Sequence, residues 1–290
     1  MPSGRRVGFI GAGAIGLPMA TRLAAAGHEL CVVDPSAERR ELAHGAGMAA
    51  SDQMAALAGS DVAIVMVATA AQLEAALSEA LDHLGAGTTC VVMSTVGPRA
   101  AQAAAEAATA RSVALLDVPV TGGVSGAERG KLVLFGSGDS QRLDEVADVL
   151  APMGTLVRCG AAVGLGQSMK VVNQLLASVH LAAAAEALAF AAALDLDQEF
   201  VLDALRGGAG GSWMLSDRGP RMLEGPDAQV TSAIDLFVKD SGLVTQAAAD
   251  VGFRAPLAAA AHDAFTRAAE RGLGRADDSQ VIQAYGDPAP

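Results

Sequence analysis

Only three of the chain's 20 basic residues are lysine: Lys131, Lys170 and Lys239. Where arginine fills nearly every cationic position, a retained lysine is a candidate for work a guanidinium cannot do, because an ammonium can lose its proton near neutrality. Lys170 has the richest surroundings, in Gly164-Leu-Gly166-Gln-Ser-Met-Lys170-Val-Val-Asn173-Gln174. Lys170, Asn173 and Gln174 stand at i, i+3 and i+4, so they share one face of a helix. Lying early in that helix, the lysine is in its positive end. This disfavours the ammonium and moves the amine toward the pKa a general acid/base needs near pH 7. The bland alternative is a solvated lysine at a helix start. Lys239-Asp240, flanked by apolar residues, reads as a functional cation or a buried structural ion pair, and Lys131 as a solvated strand-edge residue.

A second constellation is Gly11-Ala-Gly13-Ala14-Ile15-Gly16, directly after the apolar run Val7–Ile10 and at the start of a predicted helix. The first glycine permits a tight turn, the second lets backbone approach a pyrophosphate, and the third lets helix and strand pack closely. The helix start, with Ala14 and Ile15 in its first turn, offers free amides and a partial positive charge to phosphate. A second predicted strand ends in Asp34, 18 residues past Gly16. A carboxylate there accepts from ribose hydroxyls and repels a 2′-phosphate, so the expected cofactor is NAD. Arg39 and Arg40 follow closely and keep NADP as the alternative. A bound oxidised nicotinamide beside Lys170 would also favour the neutral amine.

The third is Asp117-Val-Pro-Val-Thr121-Gly122-Gly123-Val-Ser-Gly126-Ala-Glu-Arg-Gly130, read as a loop after a strand. Consecutive amides and hydroxyls in such a loop can form a nest for a small carboxylate; on pattern alone a plain surface loop fits equally well. No GxSxG elbow is present, which removes the serine hydrolase reading.

These groups need a scaffold. Short β-type runs at Arg6–Ile10, Glu29–Val33, Val62–Val67, Thr89–Met93, Ala114–Val118 and Lys131–Gly136 alternate with alanine-rich helical segments such as Ile15–Ala26 and Ala70–Leu81. That alternation predicts a parallel sheet with helices on both faces. After Cys159 the pattern becomes helical, with one long stretch from Ser168 to about Ala193 and breaks at Gly207–Gly211 and Gly219–Asp227. The expected fold class is α/β, a Rossmann-type doubly wound parallel sheet followed by an all-α C-terminal domain, joined by a long interdomain helix. The domains are drawn at 1–163 for the dinucleotide and 164–290 for substrate and oligomerisation.

Composition narrows the partners. The net charge of −12 argues against nucleic acid and against an anionic membrane surface. Half the chain is apolar, mostly as alanine, enough for a large core. Cys31, Cys90 and Cys159 have no CxxC spacing, so a reduced, cytoplasmic protein is expected. The opening MPSGRR shows no apolar leader. Val171–Phe190 is apolar but carries His180 and Glu186, against a membrane span. The five histidines show no metal-ligand spacing, and no metal is expected.

Taken together, Gly8–Ala20, Met93-Ser-Thr95-Val, Asp117–Leu132, the Lys170 segment and Lys239-Asp240 resemble, in order and along nearly the whole chain, the β-hydroxyacid dehydrogenase family. That family includes 3-hydroxyisobutyrate dehydrogenase and tartronate semialdehyde reductase. The resemblance implies that Lys170 is the general acid/base, that Thr121, Gly122 and Gly123 bind a substrate carboxylate, and that Asn173 orients the substrate. It further implies that Thr95 and Lys239 contact the nicotinamide half of the cofactor, and that the protein assembles as a homodimer or homotetramer. Two positions depart from the family pattern. Gln174 stands where a second asparagine is common, and Ser232 stands where phenylalanine is common, seven residues before Lys239. A smaller, more polar pocket suits a polyhydroxylated acid. Gly211–Met214, Asp235–Val244 and Asp277–Ile282 resemble the branch that acts on four-carbon sugar acids such as L-threonate. An imine reductase on the same scaffold typically replaces the lysine, and a non-catalytic relative lacks it, so Lys170 speaks against both.

Overall fold

The structure, a computed structural model, describes residues 4–285. The first three residues of the MPSGRR opening and the Asp-Pro-Ala-Pro end lie outside them. The chain forms two compact units, Met1–Lys170 and Val171–Pro290.

In the first unit, β1 (Arg6–Ile10), β2 (Glu29–Val33), β3 (Ala49–Ser51), β4 (Val62–Val65), β5 (Thr89–Val92) and β6 (Ala114–Asp117) form a parallel sheet in the order β3-β2-β1-β4-β5-β6. Connecting helices include α1 (Gly16–Ala25), α2 (Ala37–Gly45), α3 (Ala70–Ala80) and α4 (Pro98–Thr109). Successive strand residues go to different cores. Phe9, Val32, Ile64 and Val91 lie in one apolar cluster with Met19 and Leu23 of α1. Ile10, Val33, Val65 and Val92 lie in a second, with Leu73 and Leu77 of α3. Because side chains alternate across a strand, the two clusters are the two covered faces of one sheet, and the strands read as unbroken apolar runs.

The expected parallel sheet is present, with an antiparallel extension added at its far edge. After β6 the chain adds β7 (Val120–Thr121), α5 (Gly123–Glu128), β8 (Leu132–Ser137), α6 (Ser140–Glu145), α7 (Ala147–Leu150) and β9 (Gly154–Gly160). β8 runs antiparallel to β6 and β7, and β9 runs parallel to β8. The Asp117–Gly130 segment is thus no continuous loop but a short strand and a six-residue helix.

α8 (Leu165–Ala193) starts in the first unit and continues into the second. It is long and apolar enough to cross a membrane by length and composition alone. Its Leu181, Ala185 and Leu188 nonetheless sit in the core of the second unit with Phe237 and Phe265. The rest of that unit is α9 (Gln198–Leu205), α10 (Trp213–Glu224), α11 (Ile234–Asp250) and α12 (Pro256–Ala268). Asp197 and Ser212 cap α9 and α10 by accepting the amides of Phe200 and Leu215. Gly207–Gly211 breaks the chain as expected, but Gly219–Glu224 is helical and the break begins only at Gly225. Gly219 is a packing glycine: a Cβ there would lie 2.5 Å from Leu202 Cδ1. Lacking a Cβ, it also relieves the clash that Pro220 imposes on its predecessor in a helix.

Candidate active site

The three glycines after β1 have different physical reasons. Gly11 has φ +96, and a Cβ on it would sit 2.2 Å from the Met66 carbonyl oxygen. A Cβ on Gly16 would sit 2.1 Å from the Gly11 oxygen, so α1 lies flush on the turn. Among the described residues, a Cβ on Gly13 would meet no atom within 4 Å. The first and third glycines are demanded by the protein's own packing; the second has no neighbour among the described residues that requires it. Ala14 is exposed and Ile15 half-buried at the start of α1, where the first-turn amides lack intrahelical acceptors. Asp34 directly follows β2 and is buried. Its Oδ2 accepts the Ala12 amide at 2.7 Å and its Oδ1 accepts the Ser36 amide at 2.9 Å. A carboxylate has about four acceptor sites, so capacity remains for a ligand hydroxyl. Arg40 donates to the carbonyls of Asp34 and Pro35 at 2.8 and 2.9 Å. A Cβ-free approach at Gly13, first-turn amides and a carboxylate beyond β2 fit a dinucleotide.

A second assembly joins the ends of β5 and β6 to the start of α8. Ser94, just past β5, accepts the Val67 amide at 2.8 Å through its hydroxyl. Gln167, in the first turn of α8, is wholly buried. Its Oε1 accepts the amides of Val96 and Gly97, both at 3.0 Å. Its Nε2 donates to the Ser94 carbonyl at 2.9 Å and to Asp117 Oδ1 at 2.8 Å. Asp117 ends β6, is fully buried, and accepts three more donors on Oδ2: the amides of Gly164 and Gln167 at 3.1 and 3.0 Å and the Ser137 hydroxyl at 3.1 Å. Burial pushes the Asp117 carboxyl above its ordinary range, and these donors only partly pull it back. A Cβ on Gly166 would lie 2.3 Å from the Phe135 oxygen, so only glycine lets the helix start rest on the strand ends. Lys170 follows one turn later and is only 6% exposed, so the solvated-lysine alternative does not hold. Thr95 lies between Ser94 and Val96, whose backbone Gln167 grips. Thr121, half-buried, ends β7; Gly122 and Gly123 have φ +132 and +63 and open α5.

In the second unit the predicted residues form a chain of contacts. Asn173 Nδ2 donates to Gln174 Oε1 at 2.8 Å, and Gln174 Nε2 donates to Asp240 Oδ2 at 2.5 Å. Lys239 Nζ lies 2.8 Å from Asp240 Oδ1, an ion-pair distance without hydrogen-bond alignment. Gln174 is buried and half of its hydrogen bonding is turned to Asp240, which sequence reading did not foresee. Ser232 precedes α11 and its carbonyl accepts the Asp278 amide at 2.7 Å. That backbone belongs to a buried ionic cluster equally unforeseen: Arg218 grips Asp278 through Nε and Nη2 at 3.0 and 3.1 Å, and Arg221 Nε meets Asp277 at 3.0 Å. The signal was present in two arginines three apart and an Asp-Asp pair, but nothing in spacing joins segments 56 residues apart. Among the described residues no group of three or more His, Cys, Asp or Glu side chains could hold a metal ion.

A parallel nucleotide-type sheet with a glycine-rich turn, followed by a helical unit, defines a Rossmann-type oxidoreductase class. Residues 6–164 match the NAD binding domain of 6-phosphogluconate dehydrogenase, and residues 164–285 match the NAD-binding domain of NADP-dependent 3-hydroxyisobutyrate dehydrogenase. The chain belongs to the 3-hydroxyisobutyrate dehydrogenase-like family of NAD(P)-dependent β-hydroxyacid dehydrogenases. It is similar to the L-threonate dehydrogenase of Cupriavidus necator, 37% identical over 97% of this chain and 96% of that one. The L-threonate dehydrogenase of Escherichia coli is 36% identical, over 96% and 94%. A crystal structure of a 3-hydroxyisobutyrate dehydrogenase from Salmonella typhimurium superposes with a TM-score of 0.89 at 32% identity, covering 96% of this chain and 99% of that one.

Proposed function

We propose that the protein oxidises a small hydroxy carboxylic acid with NAD, or reduces the product in reverse, and that its substrate is a four-carbon sugar acid, L-threonate. The observation that carries this reading is Lys170: a buried lysine in a chain with only three, one turn beyond a side chain bonded to both backbone neighbours of Thr95. In the dinucleotide role, Gly11, Gly13, Ala14, Ile15 and Gly16 hold the pyrophosphate, Asp34 the adenosine ribose, and Thr95 and Lys239 the nicotinamide half. The engagement of Arg40 with backbone carbonyls beside Asp34 favours NAD over NADP. When bound there, the cofactor would supply the hydride acceptor.

The remaining chemistry belongs to the chain. Thr121, Gly122 and Gly123 receive the substrate carboxylate through hydroxyl and amide donors. Asn173 orients the substrate, supported by Gln174. Lys170 Nζ, entering neutral, takes the hydroxyl proton as the carbinol carbon gives up hydride, and returns it in the reverse direction. The first unit acts as the dinucleotide domain and the second as the substrate and assembly domain. Exposed Phe190, Phe200, Trp213 and Phe253 on the helical unit support a homodimer or homotetramer, and three unpaired cysteines support a cytoplasmic setting.

The test is an initial-rate panel with NAD and NADP against L-threonate, D-glycerate, 3-hydroxyisobutyrate, L-serine and tartronate semialdehyde. The highest kcat/KM is expected for L-threonate with NAD. Because a similar solved structure bears the name 3-hydroxyisobutyrate dehydrogenase, that acid is the second reading, and a preference for it would overturn the first. Lys170→Ala should cut turnover at least ~10²-fold while NADH still binds; near-normal turnover would sink the mechanism.

A further inference from the structure

We propose that Gln167 is a positioning residue that fixes Lys170 relative to Thr95, so that one buried amide sets the acid/base in register with the nicotinamide-side backbone. The inference rests on the reading of Lys170 as the general acid/base and deepens it.

The geometry is specific. Gln167 and Lys170 are three residues apart on α8 and therefore project from the same face. The Gln167 amide is spent entirely on backbone and on Asp117. Its oxygen takes the Val96 and Gly97 amides, and its nitrogen gives to the Ser94 carbonyl and to the Asp117 carboxylate. Ser94 and Val96 are the two neighbours of Thr95, so the glutamine brackets that residue's backbone on both sides. A glutamine amide has two acceptor sites and two donor hydrogens, and here all four are used. Such an amide has one low-energy orientation. A flip would set its NH₂ against two amide donors and its oxygen against a carbonyl and a carboxylate.

The other end of the clamp is equally constrained. Asp117 holds Gln167 by both its side chain and its backbone amide, and holds the Gly164 amide as well. The Gly166 amide donates to the Ser137 hydroxyl at 2.9 Å. The first turn of α8 is thereby bonded to the ends of β6 and β8, leaving no freedom in its rotation about the helix axis. Lys170 inherits that rotation. All the bonding groups are neutral apart from Asp117, so the clamp fixes the direction of the lysine without placing a second cation beside it. Misplacing a reacting group by ~1 Å can cost ~10²-fold in rate, which sets the scale of what such a clamp can control.

The test compares Gln167→Leu, Gln167→Asn and Lys170→Ala in the full-length protein. Leucine removes all four bonds; asparagine keeps the amide but is one methylene too short to span from helix to strand ends. Both Gln167 variants should lower kcat by ~10- to 100-fold while leaving the KM for the hydroxy acid within about threefold. Both should also displace the ascending limb of the kcat–pH profile, because the amine loses its set position. A purely structural role would lower the melting temperature and leave the pH limb where it is. If the leucine variant does not fold, the asparagine variant is read by the same criteria. Folded Gln167 variants with wild-type kcat and pH limb, beside an inactive Lys170→Ala, would overturn the positioning role alone. Near-normal turnover in Lys170→Ala would instead overturn the underlying reading.

Discussion

The first unit buries Asp117 among amides and hydroxyls; the second buries Asp277 and Asp278 against two guanidinium groups. Asp117 receives donors from Gln167, Gly164 and Ser137, none charged. Asp278 is gripped by Arg218 through two nitrogens, with Arg221 0.4 to 0.5 Å farther away at 3.5 Å. Arg218 also lies over the Trp213 ring at 5.4 Å. Both solutions meet the rule that a buried carboxylate must be bonded. They differ in what else they do. Neutral donors fix direction and add no net charge, which suits the turn preceding the lysine proposed above as the acid/base. Guanidinium forks give strong attachment and tie Asp277–Asp278 to α10 and to the Thr231–Ser232 backbone. The first cluster is built for orientation and the second for attachment.

The largest expected effect breaks the ionic cluster. Arg218→Leu strips buried Asp278 of its two-nitrogen grip and leaves Arg221 at 3.5 Å, and such a loss costs ~3–5 kcal/mol. Denaturant unfolding should report a drop of that order. Ser137→Ala should cost less, ~1–3 kcal/mol, because the Gln167 side chain and the amides of Gly164 and Gln167 still reach Asp117. If the two variants lose equal stability, the contrast between attachment and orientation fails.

The next effect is a pair of opposite pH slopes. For Asp277, burial alone would raise the carboxyl, but the Thr231 and Ser279 hydrogen bonds and Arg221 outweigh it and hold it down to about 2. A depressed folded pKa gives stability that is present above the unfolded value of ~3.9 and is lost as pH falls toward about 2. Asp117 has the reverse sign: a raised folded pKa gives a contribution present below ~3.9 and lost as pH rises through the folded value. The stability of wild type minus Asp277→Asn should therefore grow with pH between about 2 and 4 and then level off. Wild type minus Asp117→Asn should shrink as pH rises above the ordinary carboxylate range. Unfolding curves across that range decide it, and parallel slopes would show that the two clusters hold their carboxylates alike.

The sequence revealed the scaffold better than it revealed these clusters. β1 and β2 stood out because their apolar runs flank a glycine turn and end at Asp34. β3 and β7 did not, since Ala49–Ser51 and Val120–Thr121 are too short to carry a period. β9 lies at the sheet edge with no fully buried residue, and only Leu156 packs against the core. Gly219 and Pro220 looked like punctuation, yet the helix needs a small residue where it meets Leu202. Lys170, Asn173 and Gln174 were legible because helical spacing is local. Asp117 and Gln167 were not, because 50 residues separate them and only the folded sheet brings β6 to the start of α8. Local periodicity exposes helix faces and strand ends; long-range polar pairing leaves no local mark.

The smallest expected stability effect tests whether the glycine turn is shaped by the protein or for its ligand. Gly13 has no positive φ, and a Cβ there meets nothing within 4 Å, whereas a Cβ on Gly16 would lie 2.1 Å from the Gly11 oxygen. Gly13→Ala should therefore change stability by no more than ~0.5 kcal/mol, as at an unconstrained surface site. Gly16→Ala, by overpacking the turn, should cost ~1–3 kcal/mol. NADH binding discriminates between them in a way unfolding does not. If the second glycine serves close approach of the pyrophosphate, Gly13→Ala weakens the Kd by at least ~10-fold in a protein that melts like wild type. An alanine variant with unchanged affinity would mean that the turn leaves room for a Cβ beside the bound phosphates, and that only Gly11 and Gly16 are required there.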